Sequence, residues 1–546
     1  MQSWNTCLIA GGKELGKINI RRGIFQGDSL SPLLFVLAMI PLSMVLRKVK
    51  AGYSIGKDQE NINHLLFMDD LKLYGKDQQQ LDLLVNTVRR FSEDIGMEFG
   101  ISKCGVLHMK KGKYEQSKGI KLPNDEEIKE IDQEEGYKYL GILEADGVKD
   151  KAMKEKLSRE YTGRVRRVLK SKLNGVNTIS AINSTAVSVI RYSAGIIKWT
   201  KQELQALDRK TRKLMTINRA FHPKGDTDRV YISRKNGGRG MISVEDCVNI
   251  EVRSLKKYVE NSSEKYLKAV CMEGILKDGK DKAEVQNERQ ELHKNKNLYG
   301  KFDSVTEEVR GERSWEWLRK SGLKRETEGL LMAAQEQAIR TRNIRKVIDK
   351  EKISGKCRMC GAREETVAHI VSECDKLAQK EYKIWRHDKV AMVIHWELCH
   401  RHGFPTEEKW YDHRIEKVLE NDKVKILWDF KIQTDKVIEH SRPDITLIEK
   451  DKRVCTMIEV TCPFDSRVAE REIEKIERYQ DLKYEIIRLW NCKKVKIIPV
   501  VIGALGTVSK SLKKYLTELQ MEKLFAIMQK ACLLGTSRIL RKVLDI

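Results

Sequence analysis

Proline is scarce in this chain, at 8 of 546 residues, and no run of serine and glycine interrupts it. Collagen-like, mucin-like and flexible-tether architectures are thereby excluded. Long apolar runs are also missing. The longest, residues 33–46, spans 14 residues and is broken by Pro41 and Ser43, whereas a membrane-crossing helix needs about 20. A soluble chain without a membrane partner is the expectation. The 12 cysteines are dispersed except for a group between Cys357 and Cys374, and no basic-then-apolar signal peptide opens the sequence. A reducing intracellular compartment fits this better than a disulfide framework. Acidic residues are the minority, 79 against 104 Lys and Arg, leaving a formal charge of +25 and a pI of about 9.4. Because the positive charge is spread along the chain rather than gathered in an amphipathic anchor, nucleic acid is favoured over an anionic membrane as partner.

With 40% hydrophobic and 34% charged residues, the chain can build three or four cores at roughly 150 residues per domain. The first 145 residues mix glycine-punctuated turns with strand-like runs at 64–67 and 71–74 and a helical pattern over 81–91, an α+β region. From about 150 to 260 the pattern is helical and basic, with Lys151, Lys154, Lys156, Arg159, Arg164, Arg166, Arg167, Lys170 and Lys172 in one stretch. Cations on both sides of that helix suit phosphate contact, and a solvated face would read the same way. Residues 261–300 are charge-rich and read as a hinge or surface segment, and a helix is expected over 328–350. Beyond 425, strands at 456–461 and 496–502 alternate with helices over 467–482 and 509–520, an α/β pattern.

Two adjacent carboxylates, Asp69 and Asp70, fall between the short strands of His64-Leu65-Leu66-Phe67-Met68-Asp69-Asp70-Leu71-Lys72-Leu73-Tyr74. Held at a hairpin tip, such a pair can gather hard divalent cations, which prefer oxygen ligands; an ordinary polar turn is the plain alternative. Upstream, the loop Arg21 to Phe35 contains Gln26-Gly27 and then Ser31-Pro32, where proline suits the first turn of a helix. Together these segments resemble the reverse transcriptase palm. Gly100-Ile101-Ser102-Lys103-Cys104 looks like the motif that follows, and Tyr137-Lys138-Tyr139-Leu140-Gly141-Ile142 looks like the primer-grip hairpin of non-LTR enzymes. The resemblance, covering residues 20–145, implies Asp69 and Asp70 as magnesium ligands, Gln26, Gly27 and Ser31 as nucleotide or template contacts, and Lys103 as a proton donor to pyrophosphate. The family's third carboxylate lies on a strand before the Gln-Gly loop. Glu14 is the only acid among the first 20 residues, and no matching strand is recognised there, so an N-terminally truncated polymerase site is expected.

Cys357, Cys360, His369 and Cys374 give C-x2-C-x8-H-x4-C, three thiols and an imidazole suited to tetrahedral zinc. A core histidine with incidental cysteines is the plain alternative, and His387, His395, Cys399, His400 and His402 are rival ligands. A zinc knuckle here would display Arg358, Arg363 and Arg386 to nucleic acid, or clip two domains together.

A third group pairs Asp444, in Arg442-Pro443-Asp444-Ile445-Thr446, with Glu459, in Met457-Ile458-Glu459-Val460-Thr461. In a hairpin the two acids meet and can bind magnesium, while an ordinary surface hairpin is the alternative. The lysine usual two positions after the second acid is replaced by Thr461; Lys475, on the next helical pattern, is the substitute. This resembles the restriction-like endonuclease that closes site-specific non-LTR retrotransposon proteins, and Gly503-Ala504-Leu505-Gly506 resembles that family's final turn.

The resemblance implies a multi-domain α/β plus α protein: a partial palm at 1–145, a basic helical thumb at 146–260, a helical linker at 261–345, a zinc knuckle at 346–400 and a restriction-like endonuclease at 401–546. It implies magnesium and zinc as cofactors, element RNA and chromosomal target DNA as partners, target-primed reverse transcription as function, and the nucleus as location. A truncated element copy acting as a nuclease or nucleic-acid binder, or a host scaffold retaining the knuckle and basic helices, are the alternatives.

Overall fold

The computed structural model describes residues 5–545 except 20–22, 25, 56–59, 99, 124–125, 273 and 275. Arg21, Arg22 and Phe25 of the upstream loop therefore lie outside the described residues. The chain forms two compact units: residues 1–156, 193–198 and 251–279 in one, and 157–192, 199–250 and 280–546 in the other. These units cut across the expected segments, dividing 146–260 and 261–345 between them.

The first unit opens on an exposed antiparallel hairpin, Asn5–Ala10 with Lys13–Asn19. Glu14 sits on its second strand, where its carboxylate accepts from the Cys7 thiol. Helix α1, Ser31–Lys48, starts with proline in its first turn, where the missing N–H costs nothing. Met39, Leu42 and Leu46 recur at helical spacing and pack with Leu84 and Val88 of α2, Gln78–Ile95, to make the core beneath the Asp69–Asp70 hairpin. Asp77 caps α2 by accepting from Gln80 N (2.9 Å), and Gly96 ends it at φ +74°. The outer face of α1, including Leu33, Leu37 and Met44, is exposed. As folded, α1 extends the 14-residue apolar run to 18, and by length and composition it is apolar enough to cross a membrane.

In the second unit, a five-stranded sheet runs in order β1 (Val418–Glu420), β2 (Val424–Trp428), β3 (Ile445–Glu449), β4 (Val454–Thr461), β5 (Lys494–Val501). All pairs are antiparallel except β4 with β5, which are parallel and joined through helical segments that include α4, Val468–Arg478. Strand β4 is buried on both faces, as a strand between two neighbours with covered faces must be. One core joins Val390, Ile394 and Leu398 of α3 (Asp388–Arg401) to Ile426, Ile445, Ile458 and Val500 of the sheet and Phe525 and Met528 of α5 (Phe525–Leu544). The expected segments 346–400 and 401–546 thus share a single core.

Several expected elements differ. The helix expected over 328–350 stops at Gln335 and resumes at Arg342, with Gln337 at φ +54° between. Gln335 and Glu336 are buried, and the Gln335 amide donates to Leu505 O (2.7 Å), so the chain turns where these polar groups find partners in the core. The helix expected over 467–482 divides at Tyr479, whose hydroxyl donates to Arg442 O (3.2 Å). The stretch read as a hinge or surface segment contains helices Lys265–Met272 and Lys282–Lys294. The second of these buries His293 between Asp226 (Nδ1 to Oδ2, 2.5 Å) and Asp303 (Nε2 to Oδ2, 3.1 Å). Arg164 of the basic helix is not free for phosphate: it donates to Thr185 O (2.7 Å) and pairs with Glu160, because Met153, Leu157, Tyr161, Val165 and Leu169 turn one face of that helix inward.

Candidate functional site

The palm-like residues lie in the first unit. His64–Phe67 and Asp70–Leu73 pair with Phe67 opposite Asp70, and Met68, at φ +55°, makes the tight turn that leaves Asp69 and Asp70 exposed. Helix α1 packs against this hairpin, its Ser43 Oγ 2.8 Å from His64 Nε2. Ser31 lies in the first turn of α1, buried, its hydroxyl without a partner among the described residues. Gln26 and Gly27 form an exposed turn, and Gly27 takes φ +96°, which a side chain would resist. Lys103 ends a short helical turn whose carbonyl accepts from the Tyr137 hydroxyl (2.9 Å). Burial, then the charges of Cys104 and Asp70, push Tyr137 up, so Asp70, Tyr137 and the Lys103 backbone share one neighbourhood.

The Cys/His group converges. The ligand atoms of Cys357, Cys360, His369 and Cys374 all lie within 4.8 Å of one another, and Cys360 Sγ is 3.3 Å from His369 Nε2. Backbone N–H groups of Arg363 and Ala362 pull the Cys360 thiol down to about 6, whereas burial and Cys357 push Cys374 up to about 12. Three sulfurs and one imidazole nitrogen at this spacing fit a tetrahedral metal. Of the rivals, His387 contacts Asp444, and His395 and Cys399 belong to a different group with His413. Arg386, expected on the surface, is buried: it donates to Val371 O (2.6 Å) and Cys462 O (3.0 Å) and stacks on Tyr382. Arg358 is held by Glu365, and Arg363 is the exposed one of the three.

The third group converges more tightly. Ile445 pairs with Ile458 across β3 and β4, which sets Asp444 opposite Glu459. The Asp444 N–H donates to Glu459 Oε1 (3.0 Å), and the Val460 N–H donates to Asp444 Oδ2 (2.9 Å). From α4, Lys475 Nζ donates to Glu459 Oε2 (2.8 Å). Two further residues, not singled out for this site from the sequence, complete it. His387 Nε2 is 3.0 Å from Asp444 Oδ2, its Nδ1 is 2.9 Å from Asp388, and Lys383 Nζ is 3.4 Å from Asp444 Oδ1. Burial opposes ionisation of Asp444, but the His387 hydrogen bond and positive charge hold it at about 2; burial likewise opposes protonation of His387, which its two carboxylates raise to about 10. Glu459 is pushed up by burial and by the Asp444 charge, against Lys475. Asp444, His387, Lys383 and Lys475 border an open cleft of about 440 Å³, lined also by Arg467 and Arg471. Asp444 offers a hard carboxylate oxygen at the foot of this cationic cleft; Glu459 lies buried behind it with both oxygens held, Oε1 by the Asp444 N–H and Oε2 by Lys475, so a divalent metal bound by the pair would displace Lys475 from Glu459.

Residues 1–143 match the family model for reverse transcriptase, RNA-dependent DNA polymerase. Over this segment the chain is similar to reverse transcriptases of the non-LTR retrotransposon kind. The chain is 32% identical over 128 residues to a retrovirus-related Pol polyprotein from a type-1 retrotransposable element R2 of Nasonia vitripennis, covering 22% of this chain and 12% of that protein. It is 29% identical over 125 residues to the Pol polyprotein from type-2 retrotransposable element R2DM of Drosophila melanogaster, covering 22% of this chain and 12% of that one. A Pol polyprotein from type-1 element R2 of Popillia japonica is 25% identical over 244 residues, 44% of this chain and 39% of that protein. The matched stretches thus span well under two thirds of these relatives.

Proposed function

We propose that the chain belongs to a retrotransposon protein that nicks target DNA with a magnesium-dependent endonuclease and carries reverse transcriptase chemistry for copying element RNA from the nick. The observation that carries the nuclease reading is the convergence of Asp444, Glu459 and Lys475 with His387 at the cationic cleft. Asp444 and Glu459 would hold magnesium, which when bound would supply Lewis-acid stabilisation of charge on the phosphodiester. His387 and the Val460 N–H fix the Asp444 carboxylate and leave its Oδ1 toward Lys383. Lys475 bridges Glu459 and the cleft, where it would orient the attacking water. Arg467 and Arg471 would neutralise the DNA backbone.

In the reverse transcriptase segment, Asp69 and Asp70 would hold magnesium, Gln26, Gly27 and Ser31 would contact the nucleotide or template, and Lys103 would protonate pyrophosphate. Cys357, Cys360, His369 and Cys374 would hold zinc as a structural knuckle. Element RNA and chromosomal DNA would be the partners and the nucleus the site of action. Nicking of duplex DNA by the full chain, dependent on magnesium or manganese and abolished in Asp444→Ala and Glu459→Ala, tests the nuclease assignment; undiminished nicking by either variant would refute it. The second reading, a chain that acts only as a nuclease or nucleic-acid binder, draws on the palm-like hairpin presenting two carboxylates where the family's chemistry uses three. The polymerase site of this chain being incomplete under either reading, primer extension on an RNA template discriminates the two only when an upstream palm strand bearing the third carboxylate is joined to the chain.

A further inference from the structure

A second group of metal-ligating side chains lies beside the sheet, away from the knuckle and on different residues. His395 and Cys399 occupy one face of α3, four residues apart, and His413 reaches them from the connection to β1; all three are buried, and their ligand atoms lie within 4.8 Å of one another. His395 Nδ1 is 2.9 Å from His413 Nε2 and 3.5 Å from Cys399 Sγ. Among the described residues, the ring nitrogens of His395 and the Cys399 thiol find only one another and His413. Two imidazoles that meet nitrogen to nitrogen accommodate one proton between them.

The second observation is the segment these residues bind. Residues 402–417 contain no helix or strand, a length at which structureless connections inside a folded unit are uncommon and need pinning. Yet Phe404 and Trp410 of this segment pack against the core, and Trp396 Nε1 donates to Glu407 O (2.9 Å). The Phe404 N–H also donates to Cys399 O (3.0 Å) and the Trp428 N–H to Lys417 O (2.9 Å), and the His/Cys cluster ties the middle of the segment to α3.

We propose that His395, Cys399 and His413 form a second, structural zinc site that clips the 402–417 segment to α3. One thiolate and two imidazoles are a donor set that suits zinc, with nitrogen at about 2.0–2.1 Å and sulfur at about 2.3 Å. The thiol proton is released as the metal binds.

Elemental analysis of the purified full chain tests this, with zinc as the probe. The wild type is expected to carry two zinc ions per chain. Cys399→Ser and His413→Gln are each expected to lose one while keeping the other, and Cys360→Ser is expected to lose one through the knuckle. In the Cys360→Ser protein, cobalt substitution should retain a sulfur-to-cobalt charge-transfer band, reduced at least 10-fold by adding Cys399→Ser. If the knuckle is not a zinc site but this one is, a single zinc persists in Cys360→Ser and vanishes in Cys399→Ser. One zinc per wild-type chain, lost wholly in Cys360→Ser, would overturn the proposal even should the Cys399 variants fail to fold. So would two zinc ions indifferent to both Cys399→Ser and His413→Gln.

Discussion

The nuclease reading depends on single side chains and the partners that hold them. His387 is hydrogen-bonded to Asp444 and Asp388, so it acts on the cleft by fixing a carboxylate rather than by touching the scissile bond. His387→Gln is expected to raise the magnesium concentration for half-maximal nicking by on the order of 10-fold, in the range typical for residues that orient a metal ligand. A magnesium titration of nicking, beside unchanged DNA affinity, checks this. Arg386, next in sequence, has a different role: it is buried on carbonyl oxygens and an aromatic ring. Arg386→Ala leaves those acceptors unpaired and opens a void, and should lower unfolding stability by about 3–5 kcal/mol in denaturant titration. The Asp226–His293–Asp303–Lys296 cluster gives a pH signature. Burial opposes ionisation of Asp226, but His293 and Lys296 hold it at about 2, below its ordinary 3.8; burial opposes protonation of His293, and the two aspartates raise it above 6.5. The Asp226 contribution, about 2 kcal/mol from a shift of that size, is present above pH 4 and lost as pH falls toward 2. The His293 contribution is present below 6.5 and lost as pH rises through its raised value. The His293→Gln protein should therefore show a smaller fall in melting temperature than the wild type as pH rises from 6 upward.

At the scale of elements, register decides what meets what. Asp444 and Glu459 face each other because Ile445 pairs with Ile458, and a one-residue slip would send one acid to the opposite face of the sheet. That pairing was legible in the sequence, as were the Asp69–Asp70 hairpin and the C-x2-C-x8-H-x4-C spacing, because local periodicity and short spacings carry them. His387 and Lys383 were not, since they reach Asp444 across 57 and 61 residues and no local pattern encodes that contact. His413 lies in a segment without periodicity. Arg386 read as a surface cation because composition does not reveal which of many arginines is buried. The helix breaks near 337 and 479 are not legible in the sequence because buried polar groups, not glycine or proline, set them. The turn at Gly503–Gly506, recognised by resemblance, is held by the Asp465 carboxylate accepting from Leu505 N and Thr507 N, both at 2.8 Å. Gly506 takes φ +106°, and an added Cβ would meet Trp317 Nε1 at 2.9 Å. Gly506→Ala should therefore cost about 1–3 kcal/mol, read as a lower denaturant midpoint.

Across the whole chain, a charge of +25 predicts that duplex DNA affinity falls steeply between low and physiological salt as phosphate contacts release counterions; an affinity flat in salt would favour the scaffold alternative. The paired Asp69 and Asp70 are two carboxylates for a chemistry that uses three, so the isolated chain is expected not to extend a primer on RNA with magnesium and dNTPs. Extension abolished by Asp69→Ala would show that view to be mistaken. Whether the cleft around Asp444 cuts DNA is read from the nicking of supercoiled plasmid by the full wild-type chain with magnesium, beside the Asp444→Ala protein at matched DNA occupancy. Open-circle product is expected from the wild type alone, none with chelator, and none from Asp444→Ala. Equal nicking by both proteins, or none by a folded, DNA-bound wild type in magnesium or manganese, would contradict the nuclease assignment.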